Sequence, residues 1–377
     1  MKEVKDEVLE IHQRNTGVLS LETTESVHDK KDLAKMYTPG VAKLSLMIEK
    51  NHALARELTI SGKLVAVITD GSAVLGLGNV GNQAGLPIVE GKAFLYKNLA
   101  DVDAIPLAIE QREDICAPKC FELEEKLQER LSIPVYHDDQ EGTAIVVLAG
   151  LINAAKLQGK PLTELHVLIN GIGASGVATA RLLLAAGIKN LTLVDQQGVL
   201  KKEDKTLNKY QRELVNQLPK TIKNVSALKE AIVGQDVFIG LSVGNVLTPT
   251  MIKKMNEKPI VFALANPVPE IDPEVAKKIG VTLLATGSSN YPNQVNNILV
   301  FPGLFKGLLA AKANKVNISL QYEVAKSLAA LLREPTPEKF IPNVFDPDVT
   351  AVVSQAVLNF IQKLKENEDP SYASKTK

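Results

Sequence analysis

LHVLINGIGASGVATARLLLAAGIKNLTLVD, residues 165–195, sets the architecture of the chain. It opens on Leu165-His166-Val167-Leu168-Ile169-Asn170, an apolar run suited to a strand over 165–170 that is covered on both faces. Three glycines follow at Gly171, Gly173 and Gly176, then an Ala- and Leu-rich helix over 174–187 and a second strand over 190–195 that ends in Asp195. The pattern G-x-G-x-x-G carries little weight alone. Between a strand and a helix it acquires a geometry. Gly171 permits the tight turn, Gly173 lets the backbone approach a pyrophosphate, and Gly176 lets the helix pack closely on the strand. The helix start adds unpaired N–H groups and the positive end of the helix dipole. Gly171, Gly173, Ala174, Ser175 and Gly176 are therefore candidate dinucleotide-binding residues. A carboxylate at Asp195 accepts hydrogen bonds from ribose hydroxyls and repels a 2′-phosphate, and Gln196 and Gln197 follow it in place of arginine. NAD is expected over NADP.

Working outward, strands are expected over 236–240, 259–264 and 281–286 with helices between them, which gives a parallel, doubly wound sheet. Residues 302–366 read as mostly helical, and the tail KENEDPSYASKTK is polar. Upstream, amphipathic helices are expected over 1–20 and 40–57, joined through the turn Tyr37-Thr38-Pro39-Gly40. A strand over 64–69 leads to Asp70-Gly71 and a glycine-rich stretch, Gly76-Leu77-Gly78-Asn79-Val80-Gly81. A helix carrying Glu90-Gly91-Lys92-Ala93 and a strand over 102–109 follow. Pro118 begins a charged helix over 118–131, and residues 133–137 read as a short strand before Asp138-Asp139-Gln140-Glu141-Gly142. An apolar helix is expected over 143–157. The fold class is α/β: an N-terminal α/β domain over 1–155, a Rossmann-type doubly wound domain over 156–310, and a C-terminal helical segment over 311–377.

Composition excludes several classes of function. Lys+Arg and Asp+Glu both number 43, so the net charge of +0 gives no electrostatic reason to bind nucleic acid or a membrane surface. Aromatic residues make up 4% with no Trp, too few for a base-stacking platform. No apolar run reaches the ~18 residues of a membrane span, and the N-terminus lacks the apolar core of a secretory signal. The only cysteines, Cys116 and Cys120, read as reduced thiols of a cytoplasmic protein.

The N-terminal half gathers Tyr37, Asp70, Lys92, Glu113, Asp114, Asp138 and Asp139 at expected strand ends and turns, where a rigid scaffold can present them. Two acidic pairs brought together would offer hard oxygens to Mg²⁺ or Mn²⁺. The same pairs also read as solvated loop charges, and Asp138-Asp139 as the cap of the following helix.

Six ordered blocks resemble the malic enzymes, in the short bacterial and archaeal form. They are Tyr37-Thr38-Pro39-Gly40-Val41-Ala42, Val74-Leu75-Gly76-Leu77-Gly78-Asn79, Glu90-Gly91-Lys92-Ala93, His137-Asp138-Asp139-Gln140, Asn266-Pro267 and Pro292-Asn293-Gln294-Val295-Asn296-Asn297. The resemblance implies oxidative decarboxylation of malate to pyruvate and CO₂, by way of oxaloacetate and an enolate, with NAD and Mg²⁺ or Mn²⁺. It makes Lys92 the general base at the C2 hydroxyl, Tyr37 the general acid at C3, and Asp138 the carboxylate that orients or tunes the lysine. By the same match Glu113, Asp114 and Asp139 are metal ligands, Asn266 lies near nicotinamide and substrate, and Asn297, next to Asn296, contacts a malate carboxylate. Loops at Ser242 to Gly244 and Thr286-Gly287 are expected along the nucleotide. The resemblance further implies a homodimer, and a cleft between substrate/metal and NAD domains.

The chain also departs from the family pattern. Glu141 stands where the short family usually has His, either adding negative charge near the metal or facing solvent. Gly287-Ser288-Ser289-Asn290 replaces Gly-Arg-Ser-Asp, and Ala73 stands where longer members place an Arg on the malate carboxylate. Two other functions use the same parts: a malolactic-type lyase that returns NAD unchanged, and a catalytically silent dinucleotide-binding regulator.

Overall fold

A computed structural model describes residues 2–37, 39–74, 76–109, 118–218 and 227–366. These fall into two compact units, one made of residues up to 74 and 79–109, the other of 76–78 and 118 onward.

The first unit begins with three helices, α1 (Lys2–Asn15), α2 (Lys30–Met36) and α3 (Gly40–Lys50). Both expected helices are shorter than their apolar spacing suggests. Thr16 and Gly17 take positive φ after α1, and the Asn51 side chain accepts the Ala53 N–H, which turns the chain out of α3. Strand β1 (Leu64–Thr69), helix α4 (Asn82–Ala100) and strand β2 (Asp103–Ala108) then form a βαβ unit, with β1 and β2 parallel from Leu64 opposite Asp103 to Thr69 opposite Ala108.

The second unit starts with α5 (Lys119–Arg130), a π-helical turn at Asp138–Gly142 and α6 (Thr143–Gln158). Its sheet is built from β3 (Val167–Asn170), β4 (Leu191–Asp195), β5 (Gly198–Val199), β6 (Val237–Gly240), β7 (Ile260–Ala263) and β8 (Leu283–Thr286), with α7 (Ala174–Ala185) crossing from β3 to β4. The strand order is β5-β4-β3-β6-β7-β8, parallel except for β5, which pairs antiparallel with β4. Every residue of β3, β6, β7 and β8 is buried, as a sheet covered on both faces requires. Helices α8 (Phe301–Ala311), α9 (Ile318–Ala330) and α10 (Val349–Glu366) complete the unit.

Helix α6 is apolar all round because it lies at the centre of the core, with Ile145, Leu148 and Leu151 fully buried. Its one buried polar side chain, Asn153, is satisfied by donating Nδ2 to the carbonyls of Ala329 and Phe340 at 3.0 and 3.1 Å. Residues 133–137, expected as a strand, are not one. Pro134 has no N–H for a ladder, and the Val135 carbonyl accepts from Gln128 Nε2 at 3.5 Å instead. Among the described residues no helix is long and apolar enough to cross a membrane.

Strand order reverses at β3, whose neighbours are β4 on one side and β6 on the other. The crevice beyond the carboxyl ends of β3 and β6 is where open α/β sheets bind their ligands.

Candidate active site

The glycine turn sits in that crevice. Gly171 has φ +104°, its N–H donates to the Val194 carbonyl at 2.8 Å, and a Cβ there would stand 2.5 Å from the Leu241 carbonyl oxygen at the end of β6. A Cβ on Gly176 would overlap the Gly171 carbonyl oxygen, so that glycine permits the close packing of α7. Gly173 differs from both: nothing lies within 4 Å of where its Cβ would be. It is the N-cap of α7, and no side chain caps that end. The first N–H groups of α7, beginning at Ala174, thus face an open cradle that fits a pyrophosphate. At the end of β4, Asp195 Oδ1 accepts the Gln197 N–H at 2.8 Å, which leaves Oδ2 for a ribose hydroxyl.

The acidic turn is bonded to this cradle. Ser175 Oγ, in the first turn of α7, donates to the Asp139 carbonyl at 2.9 Å. Asn297 Nδ2 donates to Asp138 Oδ2 at 2.7 Å and lies 3.3 Å from Asp139 Oδ1. A Cβ on Gly142 would come within 2.8 Å of both Asn297 Cβ and Asp138 Oδ1, so the turn closes on these groups only with glycine there. Neither aspartate caps α6, because the π-helical turn runs straight into the helix. The second unit therefore brings together Asp138, Asp139, Asn297 and the glycine motif.

Glu141 does not face solvent. It is buried, its Oε2 accepts the His137 N–H at 3.1 Å, and its Oε1 accepts from Gln321 Nε2 of α9. Its carboxyl also hydrogen-bonds to that of Glu124 on α5, which requires a proton on one of the two. Burial, then the charge of Glu124, pushes the Glu141 carboxyl well above the usual carboxylate range. Burial pushes Glu124 up to about 7, opposed by its bond to Glu141 and by Arg181. Because the folded value of Glu124 is raised, its contribution to stability is full below the ordinary carboxylate value and is lost as pH climbs through about 7. Glu124→Gln, which mimics the protonated acid, is expected to stabilise the protein at pH 8 relative to pH 5 by on the order of 1 kcal/mol. Thermal midpoints of both proteins at the two pH values check this. Nothing in the charged run LEEK marked Glu124 as half-buried, since burial depends on what α5 packs against.

Asn266 follows β7, and its Nδ2 donates to the Leu264 carbonyl at 3.2 Å. Gly287, after β8, sits so close that a Cβ would meet Asn266 Nδ2 at 2.6 Å. Asn170 Nδ2, at the end of β3, donates to Ser242 Oγ, after β6, at 2.7 Å. The block 292–297 is anchored by Asn293. Its Nδ2 donates to the carbonyls of Leu284 and Pro337, and its Oδ1 accepts the Phe340 and Ile341 N–H groups.

Tyr37 and Lys92 belong to the first unit. Tyr37 ends α2, donating its N–H to Leu33, with its side chain exposed. Lys92 is half-buried on α4. Two residues before it, Glu90 Oε1 accepts the Val18 N–H at 2.8 Å, tying the segment after α1 onto this helix. Glu113, Asp114 and Cys116 lie outside the described residues, and among the described residues no three His, Cys, Asp or Glu are arranged to hold a metal. Cys120 is buried and accepts from Gln140 Nε2 at 3.7 Å.

Comparison with known proteins gives this geometry a family. Residues 15–113 match the family described as malic enzyme, N-terminal domain, and residues 140–361 that described as malic enzyme, NAD binding domain. The chain is 43% identical to a NAD-dependent malic enzyme of Geobacillus stearothermophilus, over 88% of this chain and 74% of that one. It is 40% identical to a bifunctional malic/malolactic enzyme of Bacillus subtilis, over 94% and 92% respectively. Other relatives bear the name NADP-dependent malic enzyme. The crystal structure of a malic enzyme from Pyrococcus horikoshii is similar with a TM-score of 0.91 and 39% identity, over 99% of this chain and 93% of that one. Two domain matches that together span most of the sequence, and relatives of about 40% identity along nearly its full length, place this chain in the malic enzyme family.

Proposed function

We propose that the chain catalyses oxidative decarboxylation of malate to pyruvate and CO₂ with NAD and Mg²⁺ or Mn²⁺. The observation that carries this reading is the 2.9 Å bond from Ser175 Oγ to the Asp139 carbonyl, with Asn297 bridging the carboxylates of the same turn. It joins a dinucleotide cradle to an acidic turn, and a hydroxyacid oxidation that ends in loss of CO₂ needs both in one place. Asp139 with Glu113 and Asp114 makes a donor set of hard carboxylate oxygens, which suits either cation. When bound, NAD accepts hydride and the cation supplies Lewis acidity at the C2 oxygen.

The remaining work falls to the protein. Lys92 takes the C2 hydroxyl proton, Asp138 tunes the lysine, and Tyr37 returns a proton to C3 of the enolate left when oxaloacetate loses CO₂. Asn266 and Asn297 hold the substrate with uncharged amides. Asp195 favours NAD over NADP through its free carboxylate oxygen. Apolar side chains left exposed on α2 and α3, Leu33, Met36, Leu44, Leu46 and Met47, support a homodimer, which sedimentation checks.

Absorbance of reduced nicotinamide tests the reading. Malate, NAD and Mn²⁺ should give steady NADH formation that EDTA abolishes and added Mn²⁺ restores, and NADP should support a lower rate. Malate consumed to lactate with no net NADH would instead support the malolactic reading, which the name of the Bacillus subtilis relative favours as the second choice.

A further inference from the structure

The loop after β7 holds a carboxylate that the reaction does not use. Glu270 is fully buried, with 0% of its surface exposed. Its Oε1 accepts the Ser242 N–H at 3.2 Å, and its Oε2 accepts the Ala265 N–H at 3.0 Å. Ser242 opens the loop after β6, and Ala265 precedes Asn266 in the loop after β7. Each carboxylate oxygen thus serves a different loop at the carboxyl edge of the sheet.

Four further features belong to the same staple. The Glu270 carbonyl accepts the Leu247 N–H at 2.9 Å, and the Pro269 carbonyl accepts the Asn245 N–H at 3.0 Å. A Cβ on Gly240, the last residue of β6, would collide with the Glu270 carboxylate, so glycine there makes room for it. A Cβ on Gly244 would meet the Val268 carbonyl oxygen at 2.6 Å, so the two loops are in close contact along their length. A buried acid normally costs stability unless its oxygens are matched by donors. Here the donors are backbone N–H groups, whose positions set where Ser242 and Asn266 stand.

We propose that Glu270 is a positioning residue for the nicotinamide end of the NAD site, holding the loops after β6 and β7 in register so that Ser242 and Asn266 are presented together. The inference rests on the proposed NAD-dependent function. It predicts an uneven effect along the cofactor. The adenosine and diphosphate are assigned to the glycine turn, α7 and Asp195, whereas the Glu270 carboxylate bonds the N–H groups of Ser242 and Ala265, in the loops assigned to the nicotinamide half.

The test is Glu270→Gln in the full chain, with affinities for NADH and for ADP measured by calorimetry without malate or metal. An amide of the same shape has one oxygen to accept and one NH₂ that opposes the second N–H. The ratio of NADH to ADP affinity is expected to fall about 10-fold, as the loss of one buried hydrogen bond would give, with ADP affinity within twofold of the native value. Amide hydrogen exchange at Ser242 and Ala265 should accelerate in the variant. If Glu270→Gln does not yield folded protein, Gly240→Ala presses a methyl group on the same carboxylate and should lower the same ratio. An unchanged ratio, or equal weakening of both ligands, would overturn the positioning role and leave Glu270 a purely structural acid. Equal affinity of the native chain for NADH and ADP would mean that the nicotinamide half gains nothing from these loops and would overturn the positioning role, whereas the proposed function fails separately, if malate, NAD and Mn²⁺ give no NADH.

Discussion

Lys92→Ala is expected to lower malate oxidation by about 10²- to 10⁴-fold, the usual range for removing a general base, while leaving NAD affinity within twofold. The reason lies in which parts of the chain carry each task. The proposed dinucleotide residues Gly171, Gly173, Gly176 and Asp195 are all in the second unit, and Lys92 is on α4 of the first. A lysine acts as a base at neutral pH only where its surroundings favour the neutral amine. Decarboxylation of added oxaloacetate begins after the C2 proton has gone, so it should suffer less than malate oxidation in the same variant. Steady-state rates with each substrate, together with NAD titrations, separate the two effects. If both reactions fell equally and NAD affinity fell with them, Lys92 would be a structural residue.

The second large effect is expected at the glycine turn, where neighbouring positions should behave differently. Gly173→Ala adds a methyl group where nothing lies within 4 Å and where φ is −86°, so stability should be unchanged. The same methyl group occupies the approach to the α7 amides. NAD affinity should then fall roughly 10- to 100-fold, equivalent to losing one hydrogen bond to a charged group, about 1.5–3 kcal/mol. Gly171→Ala should lower both stability and affinity. It forces a side chain onto φ +104° and sets it 2.5 Å from the Leu241 carbonyl oxygen. Thermal midpoints and NAD titrations on the two variants check the contrast. A Gly173→Ala protein that melts normally and binds NAD normally would mean that the phosphates lie elsewhere.

The sheet was legible because its strands are covered on both faces. Val167-Leu168-Ile169, Val237-Phe238-Ile239 and Ile260-Val261-Phe262 are unbroken apolar runs, and burial of that kind leaves its mark residue by residue. Residues 133–137 carried a similar mark without a partner strand, and only the pairing, which sequence does not display, makes a strand. β5 was too short to show, having two residues whose antiparallel pairing with β4 follows from the turn at Gln196-Gln197. The strand–turn–helix pattern supplied the glycine motif and Asp195, the family resemblance supplied the other proposed site residues, and the structure shows what holds several of them. Glu141 and Glu270 are acids that composition would place in solvent. Their burial depends on a second carboxyl and Gln321 in one case, and on two backbone N–H groups from separate loops in the other. Such matches are made between segments far apart in the chain, so no local pattern announces them.

The central claim is that the dinucleotide cradle and the acidic turn, linked through Ser175 and Asp139, serve one reaction centre. Paramagnetic broadening tests it most directly, by following the nicotinamide proton signals of NAD in exchange with the full-length protein as Mn²⁺ is added. The account predicts strong broadening that disappears in Asp139→Asn while NAD still binds. Sharp nicotinamide signals with Mn²⁺ and NAD both bound would contradict it.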